Sequence, residues 1–166
     1  MDNTLSKLEF LRKITGIRVN LSWVHVLTGF DITFESQEIH QLNEFGEIFT
    51  PWCRDIGGNY CDWNSDNAEP MCVKASSEFT GFPDDIGKHF KFHKGIYSQN
   101  IPPEISFPAY RLPENKFLLL DGNHRATELY RAYIKNPNLQ FHRINLHVVC
   151  GPICQSVLPD LKHWQK

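Results

Sequence analysis

No apolar run in the 166 residues approaches the roughly 18 that a membrane-spanning helix needs, so no membrane is expected among the partners of this chain. Net charge is also small, with 17 Lys and Arg set against 19 Asp and Glu for a formal charge of -2. A sequence-blind coat for nucleic acid or a membrane-surface binder needs a bulk excess of cations, so any anion site here must be local. Cys-x-x-Cys pairs are missing, and the five cysteines, at 53, 61, 72, 150 and 154, are an odd count. Both facts argue against a disulfide framework and against a zinc ribbon. The amino terminus has no secretory h-region, because Asp2, Lys7, Glu9, Arg12 and Lys13 interrupt its apolar residues. The expected setting is reducing and cytoplasmic. What remains is ordinary globular composition, 41% hydrophobic and 22% charged, at a length that one domain fills, so residues 1–166 are expected to fold as a single domain.

The patterning predicts an α+β fold, a small mixed sheet with flanking helices, in three stretches. Residues 1–50 read as an N-terminal helix and hairpin. Leu5, Leu8, Leu11 and Ile14 give a helix over 4–15, and alternating segments at 17–23 and 30–35 give two strands joined by a turn at Leu27-Thr28-Gly29. Ser36 is expected to cap a short helix that carries Ile39, Leu42 and Phe45 to a left-handed exit at Gly46. Residues 51–85 lose periodicity among Gly, Asn, Asp, Ser and Pro and read as an irregular insertion. A stretch of that length without pattern is usually a functional loop, which makes residues 51–80 the candidate surface for a protein partner. Residues 86–154 regain pattern. A strand at 105–111, a turn at Pro113-Glu114-Asn115 and a strand at 116–120 lead into Asp121-Gly122-Asn123-His124-Arg125. A helix follows, with Ala126, Leu129, Tyr130, Tyr133 and Ile134 on its apolar stripe, and then a closing strand with Ile144, Leu146 and Val148.

The chemistry concentrates where that strand turns into that helix. A helix start carries about half a positive charge from its unpaired amides, so its first turn normally holds neutral or acidic residues. Here it holds His124 and Arg125. Two cations against the positive end of a dipole make sense when an anion is shared by amides, imidazole and guanidinium, and phosphate is the usual one. Gly122 would let the backbone approach it. The plainer alternative is that Asp121 or Asn123 caps the helix while Arg125 faces solvent or pairs with Glu128.

Residues 102–153 resemble the core of the ParB/sulfiredoxin superfamily: short paired strands, a strand entering a Gly-x-His/Arg-Arg turn, a helix and a final strand. The Asp121-Gly122-Asn123-His124-Arg125 stretch is similar to the Asp-Gly-x-His/Thr-Arg turn of the superfamily's small-molecule kinases and ParB-like nucleases. The resemblance implies that the turn holds nucleotide phosphates. It departs from the sulfiredoxins at Asn123, which stands where their reactive cysteine would be, so sulfinic-acid reduction at this turn is excluded. It departs from the partition proteins by lacking their glutamate at the same turn.

The expected activity is therefore phosphoryl chemistry, hydrolysis of ATP or another nucleoside triphosphate, or cleavage of DNA. Asp121, His124 and Arg125 are the candidate catalytic residues. Gly122, Asn123, His124 and Arg125 are the candidate nucleotide contacts, joined by Lys91 and His93 from the segment Lys88-His89-Phe90-Lys91-Phe92-His93-Lys94. If extended, that segment sets a cationic face against an apolar one. Magnesium is expected with the nucleotide, held by Asp121 and Glu128. Zinc is not expected, because His89 and His93 have one-face helical spacing but no Glu between them, and His147, Cys150 and Cys154 are a weaker set. Glu47 and Asp55 are the candidates for an upstream carboxylate. The competing expectation is a non-catalytic interaction or inhibitor protein of plasmid or phage origin on the same fold.

Overall fold

The computed structural model describes residues 33–62, 65–97 and 100–151. The expected helix over 4–15, the strand over 17–23 and the turn at 27–29 lie outside them, as do Trp23, Trp63, Trp164 and Cys154. Among the described residues the chain is α+β. Strands β1 (Thr33–Ile39), β2 (Phe49–Arg54), β3 (Tyr60–Cys61), β4 (Glu69–Cys72), β5 (Ile105–Leu112), β6 (Lys116–Leu119) and β7 (Ile144–Cys150) make one mixed sheet. Its order is β1-β7-β5-β6-β2-β3, with β4 also paired to β2. Among the described residues four α-helices accompany it, α1 (Leu42–Gly46), α2 (Val73–Glu78), α3 (Asp84–His93) and α4 (Asn123–Lys135), with a 3-10 turn at Pro113–Asn115.

The centre of the sheet positions the turn before α4. β5 pairs in parallel with β7, Phe107 opposite Leu146 and Ala109 opposite Val148, and antiparallel with β6, Tyr110 opposite Leu118. Phe117, Leu118, Leu119 and Leu120 are all buried, as a strand covered on both faces requires. The Leu120 amide then donates to the Pro108 carbonyl at 2.9 Å, so the chain leaves the sheet beside β5 and turns at once into α4. On the inner face Phe107, Ile144, Leu146 and Val148 receive Ala126, Leu129, Tyr130 and Tyr133 of α4 together with Phe45 of α1. Ile134, expected on that stripe, is instead 57% exposed. Tyr133 takes the core position at that level, with the Phe141 ring 5.1 Å away.

Three local expectations are corrected. Ser36 caps no helix: it lies in β1, where Glu35, Ser36 and Gln37 stand opposite Val148, His147 and Leu146, and sheet pairing overrides the local capping signal. The helix that follows is only Leu42–Gly46, and Gly46 is not left-handed, since positive φ among described glycines belongs to Gly58, Gly95 and Gly122. Gly46 matters for space, because a Cβ there would sit 2.8 Å from Tyr130 Cε2.

Residues 51–85 are not an irregular insertion, since β2, β3, β4 and α2 fall within or across them. The Gly57-Gly58-Asn59 cluster is the turn between β2 and β3. There the Gly58 amide donates to the Asp55 carbonyl at 3.0 Å and Gly58 has a φ of 80°. The basic-aromatic segment 88–94 is not extended either, because α3 runs through His93 with Asp84 and Asp85 in its first turn and Lys91 and His93 in its last, complementing the helix dipole at both ends.

Phe45 has no solvent exposure and lies 5.9 Å from the Phe107 ring and 6.3 Å from that of Tyr130. Phe45→Ala should lower unfolding free energy by about 3–5 kcal/mol in a urea titration, because α1 and α4 both rest on that ring. A loss under about 1 kcal/mol would mean that α1 does not belong to this core.

Candidate functional site

Gly122 is the N-cap of α4 in a left-handed conformation, with φ 77° and ψ 18°, which only glycine adopts without strain. Space forbids a side chain as well: a Cβ there would lie 2.8 Å from Phe107 Cδ1 and 3.0 Å from Arg125 Nη2. Asp121 secures the turn by accepting the Gly122 amide at 2.6 Å on Oδ1. The first intrahelical bond runs from the Ala126 amide to the Gly122 carbonyl, which leaves the amides of Asn123, His124 and Arg125 without a helical acceptor. No acidic residue occupies the first turn.

Around these amides stand cations and imidazoles. Arg125 lays its guanidinium 5.1 Å from the centre of the buried Phe107 ring, and among the described residues no carboxylate pairs with it. Glu128, a partner for it in the plainer alternative, is bound instead to Arg131, whose Nε donates to the Ser77 carbonyl at 2.8 Å. His124 is boxed by Trp52 and Phe90, with ring centres at 4.9 and 4.6 Å, and the rings of His89 and His93 lie 5.3 and 6.2 Å from it. His93 Nδ1, Asn123 Oδ1, His124 Nε2 and Arg125 Nη2 are buried without a hydrogen-bond partner. An unsatisfied buried polar atom costs about 1–3 kcal/mol, so four of them within one site mark a place built for something other than stability.

Burial in the aromatic box lowers the His124 pKa from 6.5 to about 4, with further lowering by His89 and His93 and partial compensation from a hydrogen bond to the Ile86 backbone. His93 is lowered too, by burial first and then by Arg125 and His89, while Glu128 opposes the shift. Near neutral pH His124 is therefore a neutral ring with an unoccupied Nε2, able to accept a proton.

Of the residues expected in the site, Asp121, Gly122, Asn123, His124, Arg125 and His93 are brought together. Lys91 is not: two residues from His93 on the same helix, it lines a separate groove with Lys74 and Lys94. Asp121 and Glu128 do not form a pair suited to magnesium. Seven residues separate them, about 10 Å along a helix, and Glu128 is turned to Arg131. Among the described residues no group of three or more His, Cys, Asp or Glu side chains is arranged to hold a metal ion. Asp55 is committed to its hairpin, accepting the Asn59 amide at 2.9 Å, and Glu47 lines another groove with Glu44 and Lys116. His89, Trp52, Phe90 and Phe107 were missed as parts of the site. The i, i+4 spacing of His89 and His93 was the available signal, and it required reading 84–93 as a helix.

Among the described residues no helix is long and apolar enough to cross a membrane. Comparison with family models, with curated proteins and with solved structures gives no match, so none of the three supports the expected likeness to the ParB/sulfiredoxin superfamily.

The lowered His124 pKa fixes the sign of an acid response. Between its unfolded value of 6.5 and its folded value of about 4, the unfolded chain binds a proton that the native ring refuses, so stability falls as pH drops through that window. Allowing for the ring's partial solvent access, the loss should be about 1–2 kcal/mol. Urea titrations at about pH 7 and about pH 4.5 should show His124→Gln losing less stability on acidification than the wild type by that amount. Equal losses would show that the ring is not desolvated.

Proposed function

We propose that the Asp121–Arg125 turn binds the phosphate chain of a nucleotide and supports phosphoryl transfer to water. The observation that carries this reading is the set of unpartnered polar atoms of His93, Asn123, His124 and Arg125 beside three helix amides that have no intrahelical acceptor, with no carboxylate paired to Arg125 among the described residues. An anion of several oxygens is the ligand that meets such a set: the amides and the guanidinium donate to it, His124 does so once protonated, and Asn123 can turn the amino end of its amide toward it.

The chemistry follows from what each group does to charge. As water attacks the terminal phosphorus and the bond to the bridging oxygen breaks to release the nucleoside diphosphate, negative charge on the phosphoryl and leaving oxygens is stabilised by fixed donors from Arg125 and the amides after Gly122. His124 takes the proton of the attacking water at Nε2. Its pKa of about 4 in the free protein would make it a weak base, but a bound polyanion offsets the repulsion from His89 and His93 and draws the value back toward neutrality, where general-base catalysis works best. Asp121 keeps the turn closed. Magnesium arrives as the nucleotide's own counter-ion, and no step needs Glu128. Cleavage of a DNA phosphodiester would use the same parts, since phosphate contacts position a ligand without identifying its base.

Titration with ATP and with CTP in magnesium should show Arg125→Ala binding about ten- to a hundredfold more weakly than the wild type, the value of a charged hydrogen bond worth about 1.5–3 kcal/mol. Wild-type affinity should rise as pH falls from about 7.5 to about 5.5, because binding takes up a proton on His124, and His124→Gln should abolish that rise. Phosphate release and plasmid nicking, measured side by side at saturation, should both collapse in His124→Gln. If His124→Gln and Asp121→Asn keep wild-type turnover, the chemistry lies elsewhere.

A further inference from the structure

Helices α2 and α3 both pack against α4, and between them runs a groove of about 430 Å³ that shares only Phe90 with the histidine cluster. Its rim carries Lys74 from α2, Lys91 and Lys94 from α3 and the turn after it, and Lys135 from α4. Among the described residues none of these four lysines is in an ion pair, although each is exposed and free to find one. Arg131 and Glu128 in the floor neutralise each other, so among the described residues that line the groove Glu78 is the one acid left to oppose the four lysines. The groove is thus a positive site on a chain whose formal charge is -2. It continues past Lys94, Glu128, Arg131 and Lys135 into a hollow of about 240 Å³ lined by Tyr97 and Leu139.

The floor decides which anion fits. Phe90 and Tyr130 are 8% and 6% exposed, so neither offers a ring face on which a base could stack, as single-stranded nucleic acid requires. The apolar side chain that does reach solvent is Ile134, 57% exposed, an aliphatic contact set among lysines. Arg131 lies over the Phe90 ring, 4.9 Å from its centre, and is bonded to Glu128 and Ser77, so its own charge is already engaged. A cationic rim around an apolar floor matches a peptide with carboxylates flanking an aliphatic residue.

We propose that the groove between α2, α3 and α4 docks an acidic peptide segment of a partner protein, with an aliphatic side chain of that segment seated against Ile134 and its carboxylates met by Lys74, Lys91, Lys94 and Lys135. This places partner recognition on a different surface from residues 51–80, of which only Lys74, Ser77 and Glu78 line the groove. It does not depend on the nucleotide reading.

The test is selection of random twelve-residue peptides displayed on phage against the full chain, with the selected peptides then synthesised and titrated. Selected peptides should be acidic with an aliphatic residue. Lys74→Glu combined with Lys94→Glu, both at exposed positions that tolerate the change, should weaken them by at least about tenfold, and Ile134→Ser should weaken them severalfold. Native circular dichroism and an unchanged urea midpoint in the same variants separate loss of the groove from loss of the fold. No enrichment, peptides without net negative charge, or equal binding to the variants would overturn the proposal. So would displacement of the peptides by an oligo(dT) strand at equal charge concentration, or a concentration-dependent dimer that the lysine variants abolish.

Discussion

The ring of Phe107 lies directly beneath Gly122, and that contact governs what the rest of the site can be. A side chain at 122 would meet Phe107 Cδ1 at 2.8 Å and would also have to adopt a φ of 77°. With glycine there the strand can turn into α4 at once, and Arg125 can lie over the same ring 5.1 Å away. β5 thereby sets the height of the turn, β6 delivers the chain to it, and α4 points its open amides away from the sheet. The long-range pairing of β5 with β7 holds Phe107 in place, so a local three-residue geometry is fixed by residues nearly forty positions apart.

Once that geometry is fixed, electrostatics opposes it. Arg125 and three imidazoles are gathered against the positive end of a helix, and the nearest buried carboxylate, Glu128, is already taken by Arg131. Desolvation resolves part of the conflict by keeping His124 neutral, at a pKa of about 4. It does nothing for Arg125, which among the described residues pairs with no carboxylate. The Coulombic and hydrogen-bonding deficit that remains is what a bound phosphate would relieve. Without a ligand the deficit is sustained by the core below it, where Phe45, Phe107 and Leu129 lose essentially all exposure.

The sequence made the second half of this fold legible. The run at 117–120, the glycine after Asp121 and the stripe of Ala126, Leu129, Tyr130, Tyr133 and Ile134 each follow from short-range rules, and the structure agrees except at Ile134, which is exposed. Ser36 misled because its capping signal is local while its strand partner, His147, is more than a hundred residues away. The stretch at 51–85 misled because its strands are two to six residues long and two of them, β2 and β4, contain Pro51 and Pro70, so none carries enough alternation to register. Segment 88–94 misled in the opposite way: read as a strand, it set His93 beside Lys91, whereas the helix sends His93 toward His124 and Lys91 to a lysine-rimmed groove. The aromatic box around His124 had no sequence signal, since Trp52 and Phe90 reach it from separate elements.

The imidazole resonances of His124 report the central claim most directly. In a ¹H–¹⁵N titration of the free protein, its pKa should lie near 4. Adding ATP to saturation should raise it by at least about one unit, as expected for an imidazole that gains a neighbouring polyanion. An upward shift that disappears in Arg125→Ala would identify the turn as the binding site. A His124 pKa that stays the same with and without saturating ATP would contradict a phosphate site at the start of α4.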